Sequence, residues 1–320
     1  LLFSPFVLAE QFNQNGWTVK QNITGNFQSN VNDYEWLINI TFASGMQSDF
    51  DDLRFTNVNN EQLPFFIDNK INNSYADIFI KGSYTTFGTQ LIIYYGNPNV
   101  NTISNGFNTF ALFDDFIGLN ISELESVNST IWTSTSTIPS DKVVITNGSL
   151  RILVTGNPPI QGVKSLKNFT SGFIFETNTN VFKHGHVRAF GFSNNSLSCH
   201  ETGVTSVCFS TKGVFSDSNW ISSTITNGTE TFFSFGNAGI VENQDIDYKI
   251  IRNNTNNSVK YSFTSSSGSF ERVETTNIPN ESLNVFFGVD DSQASDIELR
   301  SAEVKVRKLV SPEPIATFGL

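Results

Sequence analysis

The stretch WLINITF (Trp36–Phe42) places large apolar residues at 36, 38, 40 and 42 and polar ones at 39 and 41. Successive side chains of an extended chain point to opposite faces, so this spacing describes a strand with one buried face. The same period of two recurs in ADIFIKG (Ala76–Gly82), TQLIIYYG (Thr89–Gly96), KVVIT (Lys142–Thr146), SLRILVT (Ser149–Thr155) and GFIFETNTNVF (Gly172–Phe182). It continues in HVRAFGF (His186–Phe192), DYKIIR (Asp247–Arg252), SVKYSF (Ser258–Phe263), LNVFFGV (Leu283–Val289) and AEVKVRKLV (Ala302–Val310). Asn-Gly pairs beginning at Asn15, Asn105, Asn147 and Asn227 supply turns. No stretch repeats apolar residues at helical spacing. Many short strands at even spacing predict an all-β chain built from sandwiches.

The 320 residues suffice for about two domains. Charged residues make up 15%, against about 25% in typical soluble proteins. Asn, Ser and Thr supply the polarity instead. Thirty acidic residues face 19 basic ones, for a net charge of −11. That balance excludes a basic nucleic-acid binder, whose backbone contacts need clustered Lys and Arg. A 38% hydrophobic content fills real cores and excludes global disorder. No run of ~20 apolar residues is present to span a bilayer as a helix.

Acceptor triplets for N-glycosylation, Asn-x-Ser/Thr, begin at Asn22, Asn39, Asn72, Asn120, Asn128, Asn147, Asn168, Asn194, Asn227, Asn253, Asn256 and Asn280. They predict an exported chain carrying N-linked glycans, which would provide the hydration that charges do not. An Asn/Ser/Thr-rich chain also produces some triplets by chance. Cys199 and Cys208, in SLSCHETGVTSVCFS, flank a turn at Gly203. Two strands joined by that turn would bring them within bridging range, as suits an oxidising exterior. The neighbouring His200 would project from the opposite strand face, which disfavours a catalytic thiol.

The Asn/Ser/Gly-rich stretch Asn97–Gly106 marks the predicted boundary. The expected division is an apolar donor-strand-like segment at 1–12, a first sandwich at 13–106, a second at 107–311 and a tail at 312–320. Two sandwich (jelly-roll-like) domains in tandem, preceded by an extended apolar N-terminal segment, is the predicted fold.

WTVKQNITG (Trp17–Gly25), NITFASGMQSDFDDLRFTN (Asn39–Asn57), LPFFID (Leu63–Asp68) and LIIYYGNPN (Leu91–Asn99) resemble a family of secreted prokaryotic β-domains of unknown function. That family shows F-x-S-G-M-x-x-D-F-x-D-L-R-F, then L-P-[YF]-[WF]-I, then Y-Y-G-N-P, and all three stand here in order. Such domains are often followed by a concanavalin-A-like (laminin-G-like) sandwich opening with Phe-Asp-Asp-Phe, here Phe113–Phe116. Ile131–Trp132, NGSLRI (Asn147–Ile152) and VKVRKLVSPEP (Val304–Pro314) resemble that second domain too. The resemblance implies fold and an extracellular setting; it does not imply one activity.

Concanavalin-like glucanases carry Glu-x-Asp-x-Glu on one strand face. Asp245–Asp247 and Asp296–Glu298 only approach that pattern, and the expectation is a chain without enzymatic activity. Asp49, Asp51 and Asp52 form one acidic knot; Asp114–Asp115 and Asp290–Asp291 form two more. The latter two are candidate ligands for a structural calcium ion, otherwise for capping of their own turns. No other cofactor is expected. His184 and His186 share a strand face but lack a third ligand for zinc. Trp36 and Trp132 read as core; Trp17 and Trp220 remain, and Trp220, in the loop-like FSDSNWISS, is the candidate for stacking on a sugar.

Two functions follow. One is a subunit of a glycosylated extracellular filament, similar to archaeal thread-like or pilus-like fibres. It would assemble head-to-tail by donating Leu1–Ala9 as a strand to a neighbouring copy, with Leu1, Leu2, Phe3, Phe6, Val7 and Leu8 in the subunit interface. The other is a glycan-binding surface adhesin that uses the concave face of the second sandwich. Its partners would be surface carbohydrates.

Overall fold

The computed structural model describes residues 11–117, 127–134, 143–154, 160–181, 187–194, 196–197, 199, 203–211, 220–235, 244–265, 268–290 and 297–319. Leu1–Ala9, Asn120, His184, His186, His200, Asp291 and Asp296 lie outside the described residues.

The chain forms β1 (Val19–Gly25), β2 (Val31–Thr41), β3 (Arg54–Thr56), β4 (Phe65–Ile71), β5 (Tyr75–Tyr84), β6 (Thr89–Tyr95) and a single helical turn α1 (Gly106–Thr109). It continues with β7 (Leu112–Asp114), β8 (Trp132–Ser134), β9 (Val143–Thr146), β10 (Ser149–Val154), β11 (Gln161–Phe169), β12 (Phe173–Val181), β13 (Val187–Ser193) and β14 (Ser206–Thr211). Then follow β15 (Trp220–Thr226), β16 (Thr229–Ser234), β17 (Asp245–Asn253), β18 (Ser258–Ser265), β19 (Gly268–Glu274), β20 (Leu283–Asp290), β21 (Ile297–Lys308) and β22 (Ala316–Phe318). Both units are β-sandwiches.

The first unit runs to Ala111 and resumes at Val310; the second is Leu112–Leu309. In the first, sheet β22-β1-β6-β3 packs on sheet β2-β5-β4. The alternation of WLINITF resolves as read: Trp36, Ile38 and Ile40 are buried with Ile23, Phe55, Ile78 and Ile93. The expected boundary and tail fall differently. Gln47 Nε2 donates to the carbonyls of Asn97 and Val100, and Arg54 Nη2 to that of Asn101. Ser104 Oγ accepts from Ile67 N, and Asn105 caps α1. Those bonds hold the Asn97–Gly106 stretch within the first unit. Phe110 packs on Phe66 and Phe79, so the chain leaves only after it. The segment expected as a tail returns: β22 pairs with β1, Ile23 opposite Phe318.

In the second unit, sheet β19-β18-β17-β12-β21-β10-β9, with β7 also on β21, faces sheet β16-β15-β14-β13-β20-β11-β8. Between them lies an aromatic interior that includes Phe175, Phe190, Phe209, Tyr248, Phe263 and Phe287. The second of these sheets is buried on both faces along β13, β14, β15 and β20. Its outer face carries Ala189, Cys208, Ile225 and Phe286 beneath Leu197 and Cys199. A side chain at Gly288 would strike the Leu197 carbonyl oxygen, so glycine permits this close approach of main chain to sheet. Cys199 and Cys208 are bonded, with Cα atoms 6.5 Å apart. The pair is not the hairpin pair expected, for Cys199 belongs to the connection that folds back over β14.

Candidate functional site

Strand β16 closes the seven-stranded sheet and, among the described strands, pairs only with β15. Its sequence, TETFFS, places two phenylalanines side by side, and adjacent strand residues face opposite ways. Phe233 stands opposite Ser222 and Phe232 opposite Ser223. Phe233 lies against Phe235 at 5.3 Å between ring centroids, and Phe235 against Phe263 at 5.1 Å. Phe232, on the outward face, is 56% exposed; Phe233 remains 38% exposed.

Polar groups surround this pair. The Arg272 guanidinium sits 4.7 Å from the Phe233 centroid, and its Nε donates to Glu274 Oε1 at 2.7 Å. On the Phe232 side the Ser223 hydroxyl donates to Glu230 Oε1 at 2.9 Å. Asn277 Nδ2 donates to Thr231 Oγ1 at 2.7 Å. The exposed Phe232 ring beside the Glu230 carboxylate suits a ligand with an apolar ring face and a rim of hydroxyls, whereas on the other face the Arg272 guanidinium already lies over Phe233. Composition and alternation did not single out this site, although the Phe-Phe pair in a strand pattern was its visible signal.

The residues expected to carry chemistry are placed elsewhere. Trp36 and Trp132 are core, as expected. Trp17 is half-buried, edge-to-face with Phe12, with its Nε1 donating to Asp52 O. Trp220 opens strand β15 and does not sit in a loop. Asp52 is buried and accepts from Gln47 N, Gly96 N and Asn97 N. Asp49 accepts from Asp51 N, and Asp51 faces Lys70 at 3.6 Å. This acidic knot therefore shapes its own turn.

Asp114 accepts from Trp132 Nε1 at 2.7 Å and from Phe116 N at 2.8 Å, and Asp115 from Ile117 N. Burial, with Asp115 nearby, raises the Asp114 carboxyl, and its two hydrogen bonds pull it back. Each Asp114 oxygen accepts one N–H donor, so this carboxylate caps its own turn and holds the Trp132 ring. Asp290 ends strand β20. No group of three His, Cys, Asp or Glu side chains converges on a metal position among the described residues.

Asp245 and Asp247 are exposed and accept from Asn180 and Asn178. Glu298 is clamped by Arg151 at 2.9 Å and by Arg300. Of the acceptor asparagines described, Asn22, Asn39, Asn72, Asn128, Asn147, Asn168, Asn227, Asn256 and Asn280 are exposed, and Asn194 and Asn253 half-buried. No described helix is long and apolar enough to cross a membrane.

Residues 49–136 match the profile of a domain of unknown function (DUF2341). No curated protein matches the chain in sequence. Among solved structures, a β-glucanase of Bacillus licheniformis is 14% identical, covering 62% of this chain and 98% of its own, with a TM-score of 0.48. A β-1,3-glucanase of Mycobacterium marinum is 11% identical, over 62% and 98%, with a TM-score of 0.44. A legume lectin-like domain of Entamoeba histolytica is 6% identical, over 61% and 100%, with a TM-score of 0.46. The expectation of a chain without enzymatic activity is corrected: glucanases are among the solved structures similar to this chain.

Proposed function

We propose that the chain is a carbohydrate-binding module of an exported, N-glycosylated surface protein. The observation that carries this is the exposed Phe232–Phe233 pair on β16, set beside Arg272 and Glu230. A sugar ring would stack on the outward Phe232 ring, while its hydroxyls meet the Glu230 carboxylate on the same face. The test is electrophoresis of the full chain through native gels containing laminarin, mixed-linkage β-glucan or α-mannan. Retardation by at least one polysaccharide, lost in Phe232→Ala/Phe233→Ala, is the expected result. Unretarded migration in all of them overturns the proposal. Reducing ends released in the same mixtures read hydrolysis directly.

A filament subunit is the second reading, and an edge of the first unit supports it. Strand β2, with 11 residues, pairs only with β5 among the described residues. Such an edge is a template for a further strand. It lies on the β22 side, where Trp36 meets Pro314, whereas Gln11 enters on the β3 side by pairing with Glu61. A strand donated from one edge to the opposite edge of the next copy does not close on itself, and so builds a fibre. Leu1–Ala9 is the donor in this reading. Electron microscopy of the full chain and of one lacking Leu1–Ala9 decides: fibres from the full chain alone support it, and fibres from both, or neither, overturn it.

A further inference from the structure

Four Asn-Gly pairs punctuate the chain, beginning at Asn15, Asn105, Asn147 and Asn227. A glycine leaves its backbone nitrogen unshielded, so that nitrogen can reach the preceding asparagine side-chain carbon when both are free to move. The fold restrains three of the four. Asn105 caps α1, its Oδ1 accepting from Asn108 N at 3.0 Å, and Gly106 is buried. Gly228 N donates to Val204 O at 3.1 Å, and Asn227 N to Thr205 Oγ1 at 3.3 Å. Asn147 stands in the two-residue β9–β10 turn, closed by Thr146 opposite Ser149. Asn147 and Asn227 also begin acceptor triplets, and a glycan on Nδ2 would occupy the group that has to leave.

Asn15 differs on each count. Asn15 and Gly16 are exposed, and the triplet Asn-Gly-Trp accepts no glycan. Among the described residues the Asn15 side-chain amide has no hydrogen-bond partner and the Gly16 N–H no acceptor. The bond that closes this turn, Trp17 N to Gln14 O, is 3.4 Å long and therefore weak. Asn15 N donates to Asn13 Oδ1 at 3.0 Å, which leaves the rotation between Asn15 and Gly16 unrestrained. Glycine is required at 16, because φ is +94° and a Cβ would lie 2.8 Å from Asn97 Nδ2. The nitrogen therefore cannot be shielded by a larger residue. On either side the segment is fastened to the first unit. Phe12 N donates to Asn60 O at 3.0 Å, Gln14 Nε2 to Asn60 Oδ1 at 2.7 Å and Trp17 Nε1 to Asp52 O at 3.1 Å. The Phe12 ring lies 4.8 Å from that of Tyr94.

We infer that Asn15 is a site of spontaneous deamidation, and that its conversion loosens the Phe12–Trp17 segment. The reaction needs only water. A hydroxide takes the Gly16 amide proton, and the nitrogen bonds to Asn15 Cγ. The Cγ–Nδ2 bond breaks, and the nitrogen leaves as ammonia with a proton from water, which restores the hydroxide. Water then opens the resulting succinimide at either carbonyl, giving an aspartyl or an isoaspartyl residue; nothing is oxidised or reduced. The isoaspartyl product lengthens the main chain by one carbon and sets a carboxylate in the turn. The inference is independent of both functional readings above. The test ages the full chain, made in a host that performs N-glycosylation, in mildly alkaline heavy-oxygen water, with peptide mapping of all four pairs over time. In the folded chain Asn15 should convert at least tenfold faster than the other three and take up heavy oxygen. In the guanidinium-unfolded chain Asn105 should convert as fast as Asn15. Hydrogen exchange at the Phe12 and Trp17 amides should quicken in the converted chain. It should not quicken in Asn15→Gln aged alongside, whose longer side chain closes the ring far more slowly. An Asn15 peptide that converts no faster than that of Asn105 in the folded chain overturns the site. Unchanged exchange in the isoaspartyl chain overturns the loosening.

Discussion

The Trp36 indole nitrogen donates to the Pro314 carbonyl oxygen at 3.0 Å, joining residues 278 positions apart inside the first unit. The Trp36 ring is buried with Phe27, Tyr34 and Tyr84, so its N–H has no recourse to bulk water. Residues 312–320 also bring β22 onto β1 and the Ile315 N–H onto Asn26 Oδ1. Deleting them leaves an orphaned indole donor, at about 1–3 kcal/mol, besides an unpaired β1 edge. Denaturant unfolding of the truncated chain should show the first unit destabilised by at least that amount. A truncated chain as stable as the full one would show that β22 contributes nothing.

Cys199 and Cys208 close a short loop, nine positions apart. Constraint of the unfolded chain by a loop of this length contributes about 2–3 kcal/mol. Both sulfurs are buried under Leu197 and against Phe286, so Cys199→Ser also places a hydroxyl among apolar groups. The Cys199→Ser/Cys208→Ser variant should unfold at lower denaturant, and the unreduced wild type should take up no thiol label when denatured. Stoichiometric labelling would refute the bond.

Arg252 is buried where β11, β17 and the β19–β20 connection meet. Its Nη1 donates to Phe169 O, and its Nη2 to Pro279 O and Glu281 O. Burial lowers its pKa to about 10, with Tyr261 and Glu281 opposing the shift. It therefore remains a cation at neutral pH and acts as a staple for three carbonyls. Arg252→Met keeps the bulk but orphans those acceptors, and should cost on the order of 3 kcal/mol in a denaturant titration.

The two phenylalanines of β16 separate folding from binding. Phe233 packs on Phe235 and under Arg272, so Phe233→Ala should cost about 1–2 kcal/mol of stability. Phe232, more exposed and facing outward, should cost within about 0.5 kcal/mol. Both substitutions should weaken polysaccharide retardation. A loss confined to Phe233→Ala would trace the effect to folding and not to the exposed face.

Legibility in the sequence followed one-sided burial. Strands β2, β12, β17 and β21 alternate because one face meets a core and the other is more open to solvent, whereas β6 is buried on both faces, with Ile92 and Tyr94 packed with Phe12 and Trp17. Strands β14 and β15 escaped, since SVCFST and WISSTIT lack that contrast. Ser206, Ser210, Ser222 and Ser223 are all fully buried, some under the folded-back connection and some against the facing sheet. Small residues were needed where main chain lies directly on the sheet, and a run of serines reads as a loop. The candidate site was hidden for the opposite reason: exposed Phe232 resembles a core residue by type, and only the β15–β16 register shows which way it faces. The return of β22 depends on pairing across nearly the whole chain, which no local pattern encodes.

Glu176 gives the chain a pH dependence whose sign is fixed by its neighbours. Burial opposes ionisation of its carboxyl, yet Arg307, Lys249 and Lys305 outweigh that and hold it at about 2, below the ordinary 4.5. Lys249 Nζ lies 2.8 Å and Arg307 Nε 3.3 Å from its oxygens. A carboxyl with a depressed folded-state pKa binds its proton more readily in the unfolded chain. Its contribution is therefore complete above pH about 5, falls through the window from 5 to 2, and is gone below the folded value. At full size the shift corresponds to about 3 kcal/mol. Glu298, lowered between Arg151 and Arg300 despite its burial, adds a slope of the same sign. Glu176→Gln should leave the second unit less stable at pH 7, because Arg307 and Lys249 both lose the carboxylate they face. The variant should also lose less stability than the wild type between pH 5 and pH 2. Parallel stability curves for the two proteins across that window would show that the cluster does not govern acid unfolding.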